Sequence, residues 1–79
     1  MTFEGFLDSW YDNILPNKHK QERIGQSLMN YLGEVWSEEY YRITSINYYD
    51  RTDIDCFYND DLIFNCLAHL KDVWKNREV

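Results

Sequence analysis

The stretch YYDRTDIDCFYNDD, residues 48–61, holds most of the side chains in this chain that could do chemistry. It contains five carboxylates, the oxygen ligands that Ca²⁺ and Mg²⁺ prefer, at Asp50, Asp53, Asp55, Asp60 and Asp61. An EF-hand loop needs oxygen ligands at fixed offsets and a glycine at its sharp turn. A loop starting at Asp53 has Phe57 at its third ligand position and no glycine, so we expect no EF-type site. A looser divalent site built from the five carboxylates stays open as an alternative.

Two cysteines and two histidines are the other candidate metal ligands or nucleophiles. Cys56 and Cys66 lie ten residues apart and match no zinc spacing. His69 could contact Cys66 across one helical turn, but His19 is far away in sequence. Nucleophilic catalysis needs a nucleophile beside a base and an orienting acid, and a chain of 79 residues leaves little room for a deep cavity. The sequence therefore predicts free thiols, no metal, no cofactor and no enzymatic activity.

The negative charge of the chain is concentrated in residues 34–61, which we call the acidic segment. This segment holds eight acidic residues and two arginines, which gives −6, the formal net charge of the whole chain. The remaining residues hold six acids and six bases and sum to zero. Such a charge disfavours binding to a nucleic-acid backbone or an anionic membrane. It favours a protein partner with a basic surface.

Five of the seven tyrosines also lie in the acidic segment. Tyrosine is enriched at interfaces because it offers a large rigid surface and a hydroxyl at low entropic cost. Surrounding carboxylates would steer and orient a basic partner. The sequence predicts a partner-binding surface formed by Glu38, Tyr41, Tyr48, Tyr49, Asp50, Asp53 and Asp55. The alternative is that the tyrosines cover the core and the acids keep the loop soluble.

Hydrophobic periodicity predicts two helices in the first half of the chain. The first is capped by Thr2 and ended by Pro16, and its apolar stripe is Phe3, Phe6, Leu7, Trp10, Tyr11 and Ile14. The second is capped by Asn17, and its stripe is Ile24, Leu28, Tyr31, Leu32, Val35 and Trp36. Gly25 and Gly33 lie inside the second helix, where each costs about 1 kcal/mol relative to alanine. Close approach of another helix or of an aromatic ring would explain both glycines.

The second half of the chain predicts a short helix, an irregular stretch and a long helix. Ser37 is expected to cap the short helix, which is lined by Tyr40, Tyr41, Ile43 and Ile46. Residues 47–59 follow no period. Asn59 or Asp60 would cap the last helix, whose stripe is Leu62, Ile63, Cys66, Leu67, Leu70, Val73 and Trp74. The predicted fold is all-α: residues 1–79 form one compact domain, a bundle of three main helices plus a short fourth.

Nothing in the sequence indicates a leader or a membrane anchor. The first residues do not resemble a signal peptide, and no run approaches the roughly 18 apolar residues that a membrane span requires. We therefore expect a cytoplasmic protein in a reducing compartment, where both thiols stay free.

Several short runs occur in an order that resembles a known type of protein. The run RIGQSLMNYL at 23–32 is followed by YYRIT at 40–44, by DIDCFYNDD at 53–61 and by an apolar helix containing Trp74. This order resembles small, acidic, mostly uncharacterised accessory proteins of bacteriophages and other mobile elements. Their pattern is an R-x-G-Q run opening an asparagine-leucine helix, a DPFYDD-like turn and a final tryptophan-bearing helix.

The resemblance covers about residues 23–74 and departs from the pattern at two positions. Cys56 stands where the turn usually has proline, and Asn59 where it often has aspartate. The resemblance implies a short accessory protein that works inside an infected bacterium, and it transfers no catalytic residue.

The turn in this pattern has a structural interpretation as well. Phe57 would insert into the core, while Asp60 and Asp61 would cap the last helix. Gly25 would give clearance to the turn, and the amide of Gln26 would bind a backbone group.

Together these observations predict a binding protein that docks on a basic face of a host or phage nucleic-acid-handling protein. Covering such a face would inhibit the partner, as a nucleic-acid mimic or an anti-defence or anti-CRISPR protein does. One alternative is an assembly module, for instance a homodimer formed through exposed aromatics at Trp36, Tyr40 or Trp74. A weaker alternative is nucleic-acid binding through the basic cluster Lys18, Lys20 and Arg23.

Overall fold

The computed structural model describes residues 1–45 and 47–77, and these residues form four α-helices and no β-strand. The helices are α1 (Phe3–Ser9), α2 (Ile24–Val35), α3 (Ser37–Thr44) and α4 (Ile63–Arg77). The Cα radius of gyration is 11.9 Å, close to the roughly 12 Å of a compact domain of this length. The predicted all-α, compact single-domain fold with four helices is confirmed, but two of the helices are short: α1 has 7 residues and α3 has 8.

The core gathers side chains from all four helices and from the loop between α3 and α4. Its buried apolar members are Phe3, Phe6, Trp10, Leu28, Met29, Leu32, Ile43, Ile54, Cys56, Cys66, Leu70 and Trp74. Trp74 is 1% exposed, and its ring centroid lies 5.0 Å from that of Phe6 and 5.1 Å from that of Trp36. Large aromatic rings in contact let a short chain bury enough apolar surface to fold. Trp74 of α4 therefore packs against α1 and against Trp36, the residue between α2 and α3.

Helix α1 begins as predicted and ends differently. The Thr2 hydroxyl accepts a hydrogen bond from the Gly5 N–H at 3.0 Å, which confirms the N-cap. After Ser9 the chain widens into a π-helical segment, Trp10–Ile14, and then a 3₁₀ turn, Leu15–Asn17. A π segment changes which residues share a face. The prediction that Tyr11 belongs to the apolar stripe is accordingly wrong, because its side chain is exposed.

The start of α2 lies later than the sequence predicts. The helix begins at Ile24, and the Asn17 side chain instead donates to the Asn13 carbonyl oxygen at 2.7 Å. The cap comes from far along the chain, because Asp60 Oδ1 accepts from the Gly25 N–H at 2.9 Å. Asp60 therefore caps α2 and not α4, which corrects the prediction.

Both glycines of α2 stand where another group comes close. A Cβ atom added to Gly25 would overlap the carbonyl oxygen of Cys56. At Gly33 an added Cβ would lie 3.6 Å from the ring of Tyr40, an ordinary contact. The expectation of close approach is confirmed at Gly25, where a side chain is excluded, whereas at Gly33 the ring of Tyr40 leaves room for a Cβ atom. The expected bond of Gln26 forms within its own helix, where Oε1 accepts from the Arg23 N–H at 3.3 Å.

Helix α3 starts one residue earlier than predicted, and a 3₁₀ turn, Asp60–Leu62, precedes α4, which starts at Ile63. Ser37 is the first residue of α3 and not its cap. Asn59 Oδ1 accepts from the Asp61 N–H at 3.0 Å, at the 3₁₀ turn that leads into α4. Phe57, predicted to be core, packs on the core while remaining half-buried. Ile46, predicted to line the short helix, lies outside the described residues.

Candidate functional site

The structure brings three of the seven predicted partner-binding residues together beside α3. Ser37, Glu38, Tyr41 and Arg42 follow the i, i+1, i+4, i+5 spacing of one helix face. Tyr48 reaches the same place from the turn after α3. The Tyr48 N–H donates to the Ser45 carbonyl oxygen at 3.1 Å, which closes this turn. The five side chains line a shallow depression of about 420 Å³, which we call the tyrosine groove: Ser37, Glu38, Tyr41, Arg42 and Tyr48.

The walls of the tyrosine groove are exposed tyrosine rings. Tyr41 is 69% exposed and Tyr48 is 61% exposed, although both are large and partly apolar. The Arg42 guanidinium lies 5.7 Å from the centroid of the Tyr48 ring, within cation–π range. Tyr48 also packs edge-on against Tyr49, with ring centroids 4.8 Å apart. The groove thus combines aromatic surface with a hydroxyl on each wall.

The tyrosine groove has one acidic side chain, Glu38, and one basic side chain, Arg42. Arg42 NH2 lies 3.7 Å from Glu38 Oε2, and Arg42 NH1 donates to Glu39 Oε1 at 3.2 Å. The hydrogen bond to Glu39 raises the pKa of the Arg42 side chain above its ordinary value. Arg42 is therefore anchored by two carboxylates, and the open side of the groove is bordered by the exposed Glu38.

Tyr49, also predicted to meet a partner, is half-buried and turned inward. Its hydroxyl donates to Glu39 Oε2 at 2.8 Å and lies 3.1 Å from Oε1. Burial first, and then the hydrogen bond to Glu39, raise the pKa of Tyr49 well above its ordinary value. Tyr49 therefore holds the loop against the helices, and its ring packs against the ring of Tyr48.

Glu39 is the centre of a buried polar cluster that we did not predict from the sequence. Glu39 is 1% exposed, and His69 Nε2 from α4 lies 2.8 Å from its Oε2. This contact is a hydrogen bond when Nε2 carries the hydrogen, because a carboxylate oxygen is an acceptor. We call Glu39, Arg42, Tyr49 and His69 the buried carboxylate cluster. A signal did exist: Glu39 precedes the core residue Ile43 by one helical turn and so shares its face.

The three predicted aspartates are exposed or engaged locally. Asp53 binds Arg51 through two hydrogen bonds of 2.9 and 3.0 Å, and these lower the pKa of the Asp53 carboxyl. Asp55 Oδ1 accepts from the Phe57 N–H at 3.1 Å and so shapes the turn. Asp50 is exposed at a φ of 52°, a left-handed conformation that aspartate tolerates better than most residues.

The carboxylates of the loop do not converge on one point. Across residues 1–45 and 47–77, no group of three or more His, Cys, Asp or Glu side chains is arranged to hold a metal ion. In the same ranges no helix is long and apolar enough to cross a membrane.

The residues behind the two alternative functions are placed as follows. Trp74 is 1% exposed and cannot form a dimer contact, which corrects that expectation. Trp36 and Tyr40 are half-buried against the core. In the basic cluster, Lys18 Nζ donates to the neighbouring His19 carbonyl oxygen at 3.4 Å.

Comparison of this chain with protein-family models, with curated proteins and with solved structures gives no match. The case for a function therefore depends on the side chains and on their geometry.

Proposed function

We propose that this protein is a small binding module that docks α3 and the following loop on a basic surface of a nucleic-acid-handling protein. Binding would cover that surface and inhibit the partner, as expected of an accessory protein made by a bacteriophage or mobile element inside a bacterial cytoplasm. The observation that carries the proposal is the tyrosine groove, which lies in the segment that accounts for the whole net charge.

The groove has the physical properties of an interface centre. Tyr41 on α3 and Tyr48 on the following loop are exposed and provide rigid, amphipathic surface that a partner would cover and shield from water. The buried carboxylate cluster holds the loop through Tyr49. Little conformational entropy should therefore be lost when a partner binds. Preorganised aromatic anchors of this kind typically contribute most of the affinity at an interface.

The exposed acids around the groove would act at longer range. Glu38, Asp50 and Asp53 have exposed side chains and lie on α3 or the loop that follows it. They would speed the encounter with a basic surface and disfavour acidic partners. Because such steering is screened by salt, capture of the partner should weaken as ionic strength rises.

The test separates the tyrosines from the acids with two matched pairs of variants. Tyr41→Ser/Tyr48→Ser removes the groove walls, and Tyr11→Ser removes an exposed tyrosine of the first helical region, away from α3 and its loop. Glu38→Lys/Asp50→Lys/Asp53→Lys reverses the acids near the groove, and Glu4→Lys/Asp8→Lys/Asp12→Lys makes the same charge change on exposed residues of the first helical region. Each variant is used as bait in bacterial lysate at low salt, and captured proteins are identified by mass spectrometry.

The expected result is a nucleic-acid-handling protein captured by the wild type and both controls and lost from both groove variants. A polyanion such as heparin should displace it, because the two compete for one basic surface. If a groove variant and its matched control capture the partner equally well, the interface lies outside the tyrosine groove and the acids near it. Capture that resists both heparin and high salt would refute the acidic docking mechanism.

A second candidate function is self-assembly, and one observation favours it. Phe64 on α4 is 82% exposed, which is unusual for a phenylalanine. Sedimentation of the purified chain tests this alternative. A dimer that persists at high salt and dissociates in Phe64→Ser would replace the docking proposal, whereas a monomer at all salt concentrations excludes assembly.

A further inference from the structure

Two buried thiols take no part in the proposed docking surface. Cys56 lies in the loop before α4 and Cys66 lies on α4, and both are completely buried free cysteines. Cys56 Sγ lies 3.5 Å from the Gly25 carbonyl oxygen, and Cys66 Sγ lies 3.9 Å from Met29 Sδ. Gly25 and Met29 are one turn apart on α2 and share a face. The two thiols therefore lie side by side along the same face of this helix.

The surroundings of Cys66 also favour its protonated form. The neighbouring Cys56 thiol, together with burial, raises the pKa of the Cys66 thiol far above its ordinary value. Both thiols are unreactive while the loop is closed, because each is completely buried and out of reach of a reagent. Reaction requires the loop to open locally, as loops of small domains do without global unfolding.

We propose that Cys56 and Cys66 form an oxidisable dithiol pair that closes into an intramolecular disulfide when a small-molecule disulfide is present. One protein thiolate attacks the small disulfide, forms a mixed disulfide and releases one small thiol. The second protein thiolate attacks the protein sulfur of that mixed disulfide and releases the second small thiol. The protein loses two electrons and two protons, and the small disulfide gains both to become two thiols. This proposal does not depend on the docking function.

The disulfide would fix the loop to the last helix. It would bridge two positions ten residues apart, across the 3₁₀ turn Asp60–Leu62 that leads into α4. A cross-link stabilises a protein when the native positions of the two sulfurs already suit the bond, because it then restricts only the unfolded chain. Stabilisation by oxidation is thus a direct measure of whether the folded state holds the two thiols in place.

The experiment equilibrates the reduced protein with mixtures of oxidised and reduced glutathione and follows its intact mass. The wild type should lose two hydrogens and carry no glutathione, whereas Cys56→Ser and Cys66→Ser should form only mixed disulfides. The glutathione ratio at half-oxidation gives the effective concentration of one thiol at the other. We expect it to be at least about tenfold higher in native buffer than in denaturing urea.

The melting temperature checks the same quantity independently. A tenfold preference for the folded state corresponds to a rise in Tm of about 5 °C or more on oxidation. The proposal is wrong if the effective concentration is no higher in native buffer than in urea. It is equally wrong if the oxidised protein melts below the reduced one, or if the wild type forms only mixed or intermolecular disulfides.

Discussion

Replacing Glu39 by alanine is the sharpest test of how the loop is held. The carboxylate is 1% exposed, and it accepts hydrogen bonds from Tyr49, His69 and Arg42 at 2.8 to 3.2 Å. Its removal leaves three buried or half-buried donors without their acceptor, each costing about 1–3 kcal/mol if water does not replace it. Water will reach the more exposed Arg42, so the expected loss is about 4 kcal/mol, in line with broken buried ion pairs.

Glu38 is the matched control because it is the neighbouring residue of the same type and binds the same arginine. Its side chain is 77% exposed, and its carboxylate lies 3.7 Å from the Arg42 guanidinium. Glu38→Ala should cost less than about 1 kcal/mol, since exposed ion pairs contribute little. Urea unfolding followed by tryptophan fluorescence gives both free energies of unfolding. If Glu39→Ala costs no more than Glu38→Ala, the buried carboxylate cluster does not stabilise the fold.

Three further outcomes are expected. Gly25→Ala should destabilise the protein by about 2 kcal/mol in urea unfolding, because the added Cβ would overlap the carbonyl oxygen of Cys56. Gly33→Ala should be neutral or stabilising, and equal effects of the two substitutions would contradict the close approach at Gly25. The raised pKa of Tyr49 means that the folded protein keeps a proton that the unfolded chain loses above about pH 10. Stability should therefore fall as pH rises above that value, less steeply in Tyr49→Phe; parallel pH profiles would contradict this. Asp60→Ala should cost about 1 kcal/mol through the lost cap of α2, whereas Asp61→Ala, which caps no helix, should leave the denaturation midpoint unchanged.

The fold was predictable because its helices depend on local signals. Apolar stripes with a 3.6-residue period place Leu28, Leu32, Leu70 and Trp74 in the core, and all four are buried. Thr2 begins α1 through a contact only three residues away. Periodicity and N-caps depend on residues that are close together in the chain, so both can be predicted from the sequence alone.

The errors arise where a distant residue decides the local structure. Asn17 has the right chemistry for a cap, yet α2 begins at Ile24, six residues after the start that an Asn17 cap implies, and Asp60 supplies an acceptor for its first turn from the far end of the loop. Tyr11 follows the stripe of α1, but the π-helical segment turns it outward. Neither the tertiary cap nor the change of helical register has a signature in nearby residues.

The candidate site was predictable in part for the same reason. Tyr41 and Glu38 lie on one exposed face of α3, as their spacing in a short helix allows, and Tyr48 joins them from the loop. Tyr49, adjacent in sequence, points inward because Glu39 offers a buried acceptor. In an irregular segment no period distinguishes adjacent tyrosines, so only the tertiary partner decides which one is exposed.

The bond between Asp60 and the first turn of α2 also provides a natural reporter of loop motion. The first N–H groups of a helix have no acceptor within the helix, so the Gly25 amide is held by the distant carboxylate. When the loop lifts, this amide loses its acceptor while the rest of α2 stays hydrogen-bonded. Its hydrogen-exchange rate would therefore measure, at one position, how often the loop detaches without global unfolding.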